Sequence, residues 1–411
     1  MKIIKPELLA PVQDYITLKA ALENGADAVY FGIVGFNMRA NAKNFALKDL
    51  KKIAQLCHKQ NVKAYLALNT IVFDNELKNV EKILKTAKKA GVDAIIAWDM
   101  AVVTLAKKLK LEVHLSTQAS VANSQAAVFY KNQGIKRIVL ARECTLEQIK
   151  KIKKQTKINL ELFIHGAMCV SQSGRCFLSE FLYNKSANRG ACLQPCRREY
   201  LIKQIEGEEE LILGQNYVLS PKDLCTLPFL EKILEAGVAS LKIEGRNRNP
   251  EYVATVTKVY RGAIDWHFKN KGKNGWQKKW AELKNNLMKE LEKVYHRGLS
   301  SGFYLGQPIN QWSESYGSQA TEQKIHLGKV LHYYPKIQVA EILIQANKKL
   351  TLDEEIIFEG EKIGIIKQKV LSMQINHKKI KSAQQDDIIA IKTEKPVCKN
   401  DLVYKLIKRV L

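Results

Sequence analysis

The chain has 411 residues, is 46% hydrophobic and carries a formal net charge of +25, with an isoelectric point near 9.5. That length holds one large domain of about 250 residues plus smaller pieces, and no run of 18 apolar residues occurs, so no transmembrane helix and no membrane role are expected. The opening MKIIKPELLAPVQDY sets Pro, Glu and Asp where a signal peptide needs an unbroken apolar core, so a cytoplasmic protein with reduced thiols is expected.

Short apolar runs predict strands near Glu7–Ala10, Ala28–Phe31, Ala64–Leu68, Ala94–Ala97, Val113–Leu115, Arg137–Leu140, Leu160–Phe163 and Ser240–Ile243. Helical patterns fall between them, over Leu47–Gln60, Glu76–Ala90 and Leu146–Thr156, and the last covers Glu251–Asn270. NGADAVYFG, AGVDAIIAWD, QGIKRIVLARE and AGVASLKIEGR repeat one pattern: a helix, a Gly suited to a left-handed turn, then a strand buried on both faces. Such repeats denote a parallel α/β fold. Eight β/α units in residues 1–270 predict a (β/α)8 TIM-like barrel. A doubly wound open sheet ranks second, because no G-x-G-x-x-G follows an early strand. The seventh unit carries a Cys-rich insertion at about 165–225, long enough to be functional. Residues 271–324 read as a basic helical connector with one strong helix, Trp280–Tyr295. Residues 325–411 turn to short strands and turn residues, which predicts a small antiparallel β-barrel.

Residues just past the strands of a TIM barrel gather on one face. Here they are Asn37 and Arg39, Asn69 and Thr70, Asp99, Ser116 and Gln118, Arg142 and Glu143, His165, then Lys242, Glu244 and Arg246. Asn69 and Asp99 are equally good helix caps, and a histidine such as His165 is as readily a core residue. Lys outnumbers Arg 54 to 12, yet Arg39, Arg142, Arg175, Arg189, Arg197, Arg198, Arg246 and Arg248 all lie at strand ends or beside cysteines. Arg is not interchangeable with Lys where its fork grips carboxylate or phosphate, so the placement points to anion recognition; a solvated rim is the plainer reading. The basic excess as a whole points to nucleic acid, although an A/T-rich genome also raises Lys.

Cys169, Cys176, Cys192 and Cys196 are spaced C-x6-C, C-x15-C and C-x3-C. Structural zinc usually takes two close pairs, and only one is present; iron–sulfur clusters tolerate scattered ligands on loops. The C-x3-C lacks the third cysteine of a radical-SAM motif, since Arg197, Arg198 and Glu199 follow. Iron–sulfur ligation is therefore the first reading, zinc the second and unliganded thiols the third. Cys225 is a substitute ligand, while Cys57, Cys144 and Cys398 read as buried small residues. His165 near Cys169 raises a cysteine protease, but no G-x-S-x-G or H-E-x-x-H motif supports hydrolysis.

The segment ELFIHGAMCVSQSGRCFLS, through Glu161, Phe163, Gly166, Cys169, Gly174, Cys176 and Ser179, resembles the signature of peptidase family U32, the collagenase-like proteases. GACLQPCR, LSPKDLC, LKIEGRNRNPEYVA, ELLAP and NGADAVYFG extend the resemblance over nearly the whole chain. The family includes bacterial tRNA hydroxylation proteins and oxygen-independent hydroxylases of ubiquinone synthesis. The resemblance implies a 4Fe–4S cluster on Cys169, Cys176, Cys192 and Cys196. With its C-terminal β-barrel the chain is most similar to the prephenate-dependent tRNA uridine hydroxylases, which install 5-hydroxyuridine at the wobble position. That implies tRNA as partner, prephenate as a dicarboxylate co-substrate, and a paralogous protein partner as in some relatives. The β-barrel loosely resembles the second domain of translation elongation factors, which suggests RNA docking. On this reading His165, Arg175 and Glu244 are catalytic candidates, and Arg39, Asn69, Gln118, Arg142, Lys242 and Arg246 bind substrate or anion. Lysines of 266–300 and of the β-barrel track the RNA backbone. A U32-type peptidase and a non-catalytic RNA-binding protein with a structural metal are the alternatives.

Overall fold

The computed structural model describes residues 4–200 and 217–409. Eight parallel strands form a ring: β1 (Glu7–Pro11), β2 (Ala28–Gly32), β3 (Lys63–Ala67), β4 (Ala94–Ala97), β5 (Glu112–Leu115), β6 (Arg137–Val139), β7 (Asn159–Gly166) and, after a short β8 (Asp223–Cys225) outside it, β9 (Ser240–Ile243). β9 pairs in parallel with both β7 and β1, so the ring closes and the TIM-like expectation holds over the open sheet. Side chains alternate along the strands. Leu9, Tyr30, Tyr65 and Ile96 form one cluster inside the ring; Leu8, Phe31, Leu66 and Ile95 join the larger core beneath the helices.

The helices are α1 (Tyr15–Glu23), α2 (Leu50–His58), α3 (Leu77–Ala90), α4 (Met100–Lys108), α5 (Ser124–Asn132), α6 (Leu146–Thr156), α7 (Leu178–Tyr183), α8 (Leu230–Glu235), α9 (Pro250–Asn270) and α10 (Trp276–Glu292). Asp14, Asp99, Asn123, Thr145 and Asn249 cap five of them through their side chains. Among the described residues no helix is long and apolar enough to cross a membrane.

Two features depart from expectation. The Cys-rich insertion, of which 201–216 lie outside the described residues, returns through β8, which pairs antiparallel with the end of β7 (His165↔Cys225, Gly166↔Leu224). Residues 271–324, expected as a connector, pack into the barrel wall. Trp280 of α10 stacks on Trp266 of α9 with ring centroids 5.5 Å apart. Leu299–Ser300 adds a strand to β8, and the Tyr304 hydroxyl donates to the Phe163 carbonyl at 2.6 Å. Trp280, Leu291 and Tyr304 of this stretch are buried in the barrel's core, Trp276, Leu283, Leu287 and Met288 pack against it, and together they hold the stretch there.

From Glu322 the chain forms an antiparallel sheet of eight strands with Gly364–Lys369 at one edge and Lys378–Ile380 at the other. Its core is separate, built on Leu327, Val330, Ile342, Phe358 and Val403. Ile366 and Met373, from opposite sides of the sheet, share that core, so the sheet wraps around it. No ladder joins the two edge strands among the described residues. Lys324 ties this unit to the barrel, lying 2.5 Å from both Glu251 of α9 and Glu359 of the sheet.

Candidate functional site at the barrel mouth

The C-terminal ends of the barrel strands and the Cys-rich insertion enclose a cavity of about 140 Å³. Arg39, Asn69, Gln118, Arg142, Lys242, Glu244 and Arg246 line it, together with Cys169, Cys176, Cys192 and Cys196. Eleven of the thirteen residues singled out from the sequence thus meet in one place. The insertion reaches it by two close approaches. Gly166 ends β7 at φ +104°, and a Cβ there would lie 2.2 Å from the Glu244 carbonyl oxygen. At Gly190, φ +88°, a Cβ would lie 2.2 Å from the Asn37 carbonyl oxygen. Both sites demand glycine for conformation and for space.

The mouth is cationic around one carboxylate. Glu244 lies 3.2 Å from Arg39 and 3.7 Å from Arg142. Burial pushes its carboxyl up, but Arg39, Arg142 and Arg246 outweigh burial and hold it below the usual range. Arg246, 4% exposed, donates to the Asn37 side chain at 2.9 Å, and burial pulls it down to about 10, so it stays charged at neutral pH. Lys242 lies 4.4 Å above the Tyr30 ring. Beneath, it meets Glu161 at 3.0 Å, and Glu161 is 3.2 Å from Arg137. Burial pushes Glu161 up; Lys242, Arg137 and His114 together overcome it and hold the carboxyl at about 2. Asn69 and Gln118 supply neutral amides: Asn69 accepts from the Met38 N–H at 3.2 Å and donates to Gln118 at 3.4 Å. Asp99, by contrast, caps α4. Three guanidinium groups and an ammonium set against two carboxylates, Glu244 and Glu161, leave a positive excess that suits an anionic ligand.

The four thiols all line this cavity. The Leu178 N–H donates to the Cys176 sulfur and the Gln194 N–H to the Cys192 sulfur, each at 3.4 Å. Cys169 lies 3.0 Å from the Ser171 hydroxyl. Burial pushes Cys169 up, but hydrogen bonds from Ser171 and the charges of Arg142 and Arg197 bring it below the ordinary thiol value. Burial pushes Cys196 up to about 11, and charge on Cys169 or Cys192 adds to this. Among the described residues no three His, Cys, Asp or Glu side chains converge as the ligands of a single ion do. The four cysteines line one cavity, and an all-sulfur donor set with N–H···S bonds is of the kind that iron–sulfur ligation uses.

Two expected residues lie elsewhere. His165 is 2% exposed and packs against Tyr252 and Tyr260, its Nδ1 3.4 Å from the Tyr260 hydroxyl. A register shift between Phe163 and His165 breaks the alternation of β7 and turns the ring out of the barrel towards α9. Arg175 lies at the rim, donating to the Ser120 hydroxyl at 3.1 Å, with its guanidinium 5.9 Å from the Trp98 ring. Cys225 also stays away from the cavity: it is 2% exposed, near Tyr260, and burial pushes its thiol up to about 11. Cys398 is half-buried rather than a core residue. The other arginines divide. Arg197 lines the cavity and donates to Ser220 and Pro221. Arg189 pairs with Glu76, Arg198 lies over Tyr183, and Arg248 lies 3.6 Å over Tyr295. One site residue went unforeseen: Arg297, from the presumed connector, lines the cavity and is paired with Asp223 of β8 at 2.5 Å. Its signal in the sequence is an arginine in a stretch otherwise supplied with lysines.

The model of peptidase family U32 matches residues 13–314. A protein named collagenase from Porphyromonas gingivalis is 40% identical over 98% of this chain and 98% of its own length. A tRNA hydroxylation protein P1 from Bacillus subtilis is 35% identical over 87% of this chain and 84% of its own. A 23S rRNA 5-hydroxycytidine C2501 synthase from Escherichia coli is 37% identical over 72% of this chain and 45% of its own. With a family match across the barrel, insertion and wall, and full-length relatives at this identity, the chain belongs to peptidase family U32.

Proposed function

We propose that the protein is an RNA-modifying hydroxylase, with the wobble uridine of tRNA as substrate, 5-hydroxyuridine as product and prephenate as the small dicarboxylate co-substrate. The observation that carries this reading is the cavity where Arg39, Arg142, Arg246 and Lys242 face four thiols across a space of about 140 Å³. Relatives named for tRNA and rRNA hydroxylation support it. A base stacked in RNA is out of reach, so it must swing out into the mouth. Asn69 and Gln118 then offer amides to its hydrogen-bonding edge. Arg39, Arg142 and Arg246 hold carboxylate or phosphate, Arg175 meets it at the rim, and Glu244, ionised at neutral pH, accepts a proton. Cys169, Cys176, Cys192 and Cys196 would hold a 4Fe–4S cluster, which supplies one-electron redox chemistry when bound. Lysines outside the mouth attract the RNA backbone.

The collagenase-named relative raises a peptidase. A cysteine peptidase needs its thiol within hydrogen-bond reach of a base. Here Cys169 meets Ser171, and no Cys–His hydrogen bond occurs among the described residues. The hydroxylase reading is therefore favoured. Mass spectrometry of tRNA and rRNA nucleosides from a strain lacking the gene tests it. Loss of 5-hydroxyuridine, restored by the wild-type gene, is expected. Loss of an rRNA hydroxypyrimidine instead would move the substrate, and an unchanged nucleoside profile would overturn the reading.

A further inference from the structure

Helix α7 has two dissimilar sides. Leu178 and Ser179 line the thiol cavity, and the Ser179 hydroxyl accepts from the Leu193 N–H at 3.0 Å. Away from the cavity, Phe177, Phe181 and Leu182 are 61%, 85% and 51% exposed. Adjacent large apolar side chains this exposed mark an interaction surface rather than ordinary surface scatter. Phe177 and Phe181 are one turn apart, with ring centroids 6.0 Å apart and planes at 43°. Among the described residues none covers either ring. The patch adjoins the mouth directly, because Cys176 and Leu178, on either side of Phe177, both line the cavity.

The chemistry around the patch narrows its occupant. Of the five basic side chains between residues 168 and 200, Arg189 is paired with Glu76 and Arg197 lines the cavity, which leaves Arg175, Lys185 and Arg198 against Glu180 and Glu199. Arg198 is exposed and lies 5.2 Å over the ring of Tyr183, at the end of the same helix. Exposed aromatic faces with a guanidinium group on the same helix suit unpaired nucleotides, whose bases stack while their phosphates meet the cation. Base flipping adds a reason. The neighbours of a base swung into the mouth lose a stacking partner and are left at the rim.

We propose that Phe177 and Phe181 form a stacking platform for the unpaired nucleotides that flank the base held in the mouth. This rests on the RNA reading of the mouth and adds the surface that grips the loop around it. The test uses the full chain, purified without oxygen, and an RNA stem-loop carrying 2-aminopurine beside a loop uridine. Anisotropy gives the affinity, and quenching of 2-aminopurine reports stacking. Phe177→Leu with Phe181→Leu keeps the apolar area and removes the aromatic faces; Phe177→Tyr with Phe181→Tyr keeps the faces. The Leu pair should weaken binding about 10-fold or more and abolish quenching, in line with base–aromatic stacking elsewhere, while the Tyr pair stays near wild type. Unchanged circular dichroism in both confirms folding. Leu-pair affinity within about twofold of wild type, with quenching retained, overturns the platform and leaves an apolar patch for a protein partner. Wild-type protein that fails to bind the stem-loop also overturns it. The nucleoside profile of the deletion strain depends on neither phenylalanine and judges the hydroxylase reading separately.

Discussion

Replacing Glu161 by Gln removes the carboxylate that Lys242 and Arg137 share inside the barrel, at 3.0 and 3.2 Å. The side chain is fully buried, so water cannot take the lost partner's place. In the folded protein the carboxyl is held at about 2 instead of its ordinary 4.5. That difference corresponds to about 3 kcal/mol of stability at neutral pH. The loss of one partner from a buried ion pair, about 3–5 kcal/mol, agrees with it. Because the folded value is depressed, the contribution is complete above about pH 5 and is lost as the pH falls towards 2. The parent and Glu161→Gln should therefore differ by about 3 kcal/mol at pH 7 and by about 1 kcal/mol at pH 3. Urea unfolding followed by tryptophan fluorescence measures this in the right place: all five tryptophans, Trp98, Trp266, Trp276, Trp280 and Trp312, precede the C-terminal sheet. A variant within about 1 kcal/mol of the parent at pH 7, or a loss of equal size at both pH values, refutes the reasoning.

Further outcomes follow from the same geometry. Serine at any one of Cys169, Cys176, Cys192 or Cys196 should abolish broad absorption near 400 nm in anaerobically purified protein, while Cys57→Ser keeps it; a colourless wild type containing zinc would sink the cluster. Arg297→Ala leaves Asp223 buried without its partner and should cost about 3 kcal/mol, measured by the same unfolding experiment. Burial pulls His165 down to about 4, so it opposes folding as the pH falls below about 6.5. His165→Gln should flatten that acid loss of stability without moving the pH profile of nucleoside formation between about pH 6 and 8. RNA affinity should drop steeply between about 50 and 200 mM salt; a flat dependence removes the electrostatic part of the proposal.

The barrel was legible because strands buried on both faces read as unbroken apolar runs, each set off by a glycine. The ring at the mouth was legible because chemistry in this fold collects at one end of the strands. The rest was hidden for specific reasons. β8 is only three residues long, too short for any periodicity. The barrel-wall role of 271–324 rests on apolar residues such as Trp280, Leu287, Leu291 and Tyr304, which are interrupted by lysines in the sequence. Of the two roles open for His165, site and core, the sequence does not choose, because simple alternation puts it beside Glu161 and Phe163 and the register shift that turns it outward is not encoded in local composition. The two roles open for Asn69 and Asp99 were separated only by side-chain direction: Asp99 caps α4, and Asn69 faces the cavity.

The pairing of β8 with the end of β7 has an evolutionary consequence. The chain leaves the barrel after Gly166 and comes back at Leu224, and these two residues are directly opposed across the ladder. The described residues between them hang from this neck and touch the barrel loops again at a few points, with Gly190 against Asn37 and Arg189 paired with Glu76. Lengthening such a loop costs only about 0.6 kcal/mol for each doubling, because its ends are already together. Lineages could therefore lengthen or shorten this cassette between its fixed points, provided the seats of Gly190 on Asn37 and of Arg189 on Glu76 are kept. A graft that replaces 167–223 with a relative's segment, joined at the same two residues, is the natural unit for moving one family member's specificity onto another's scaffold.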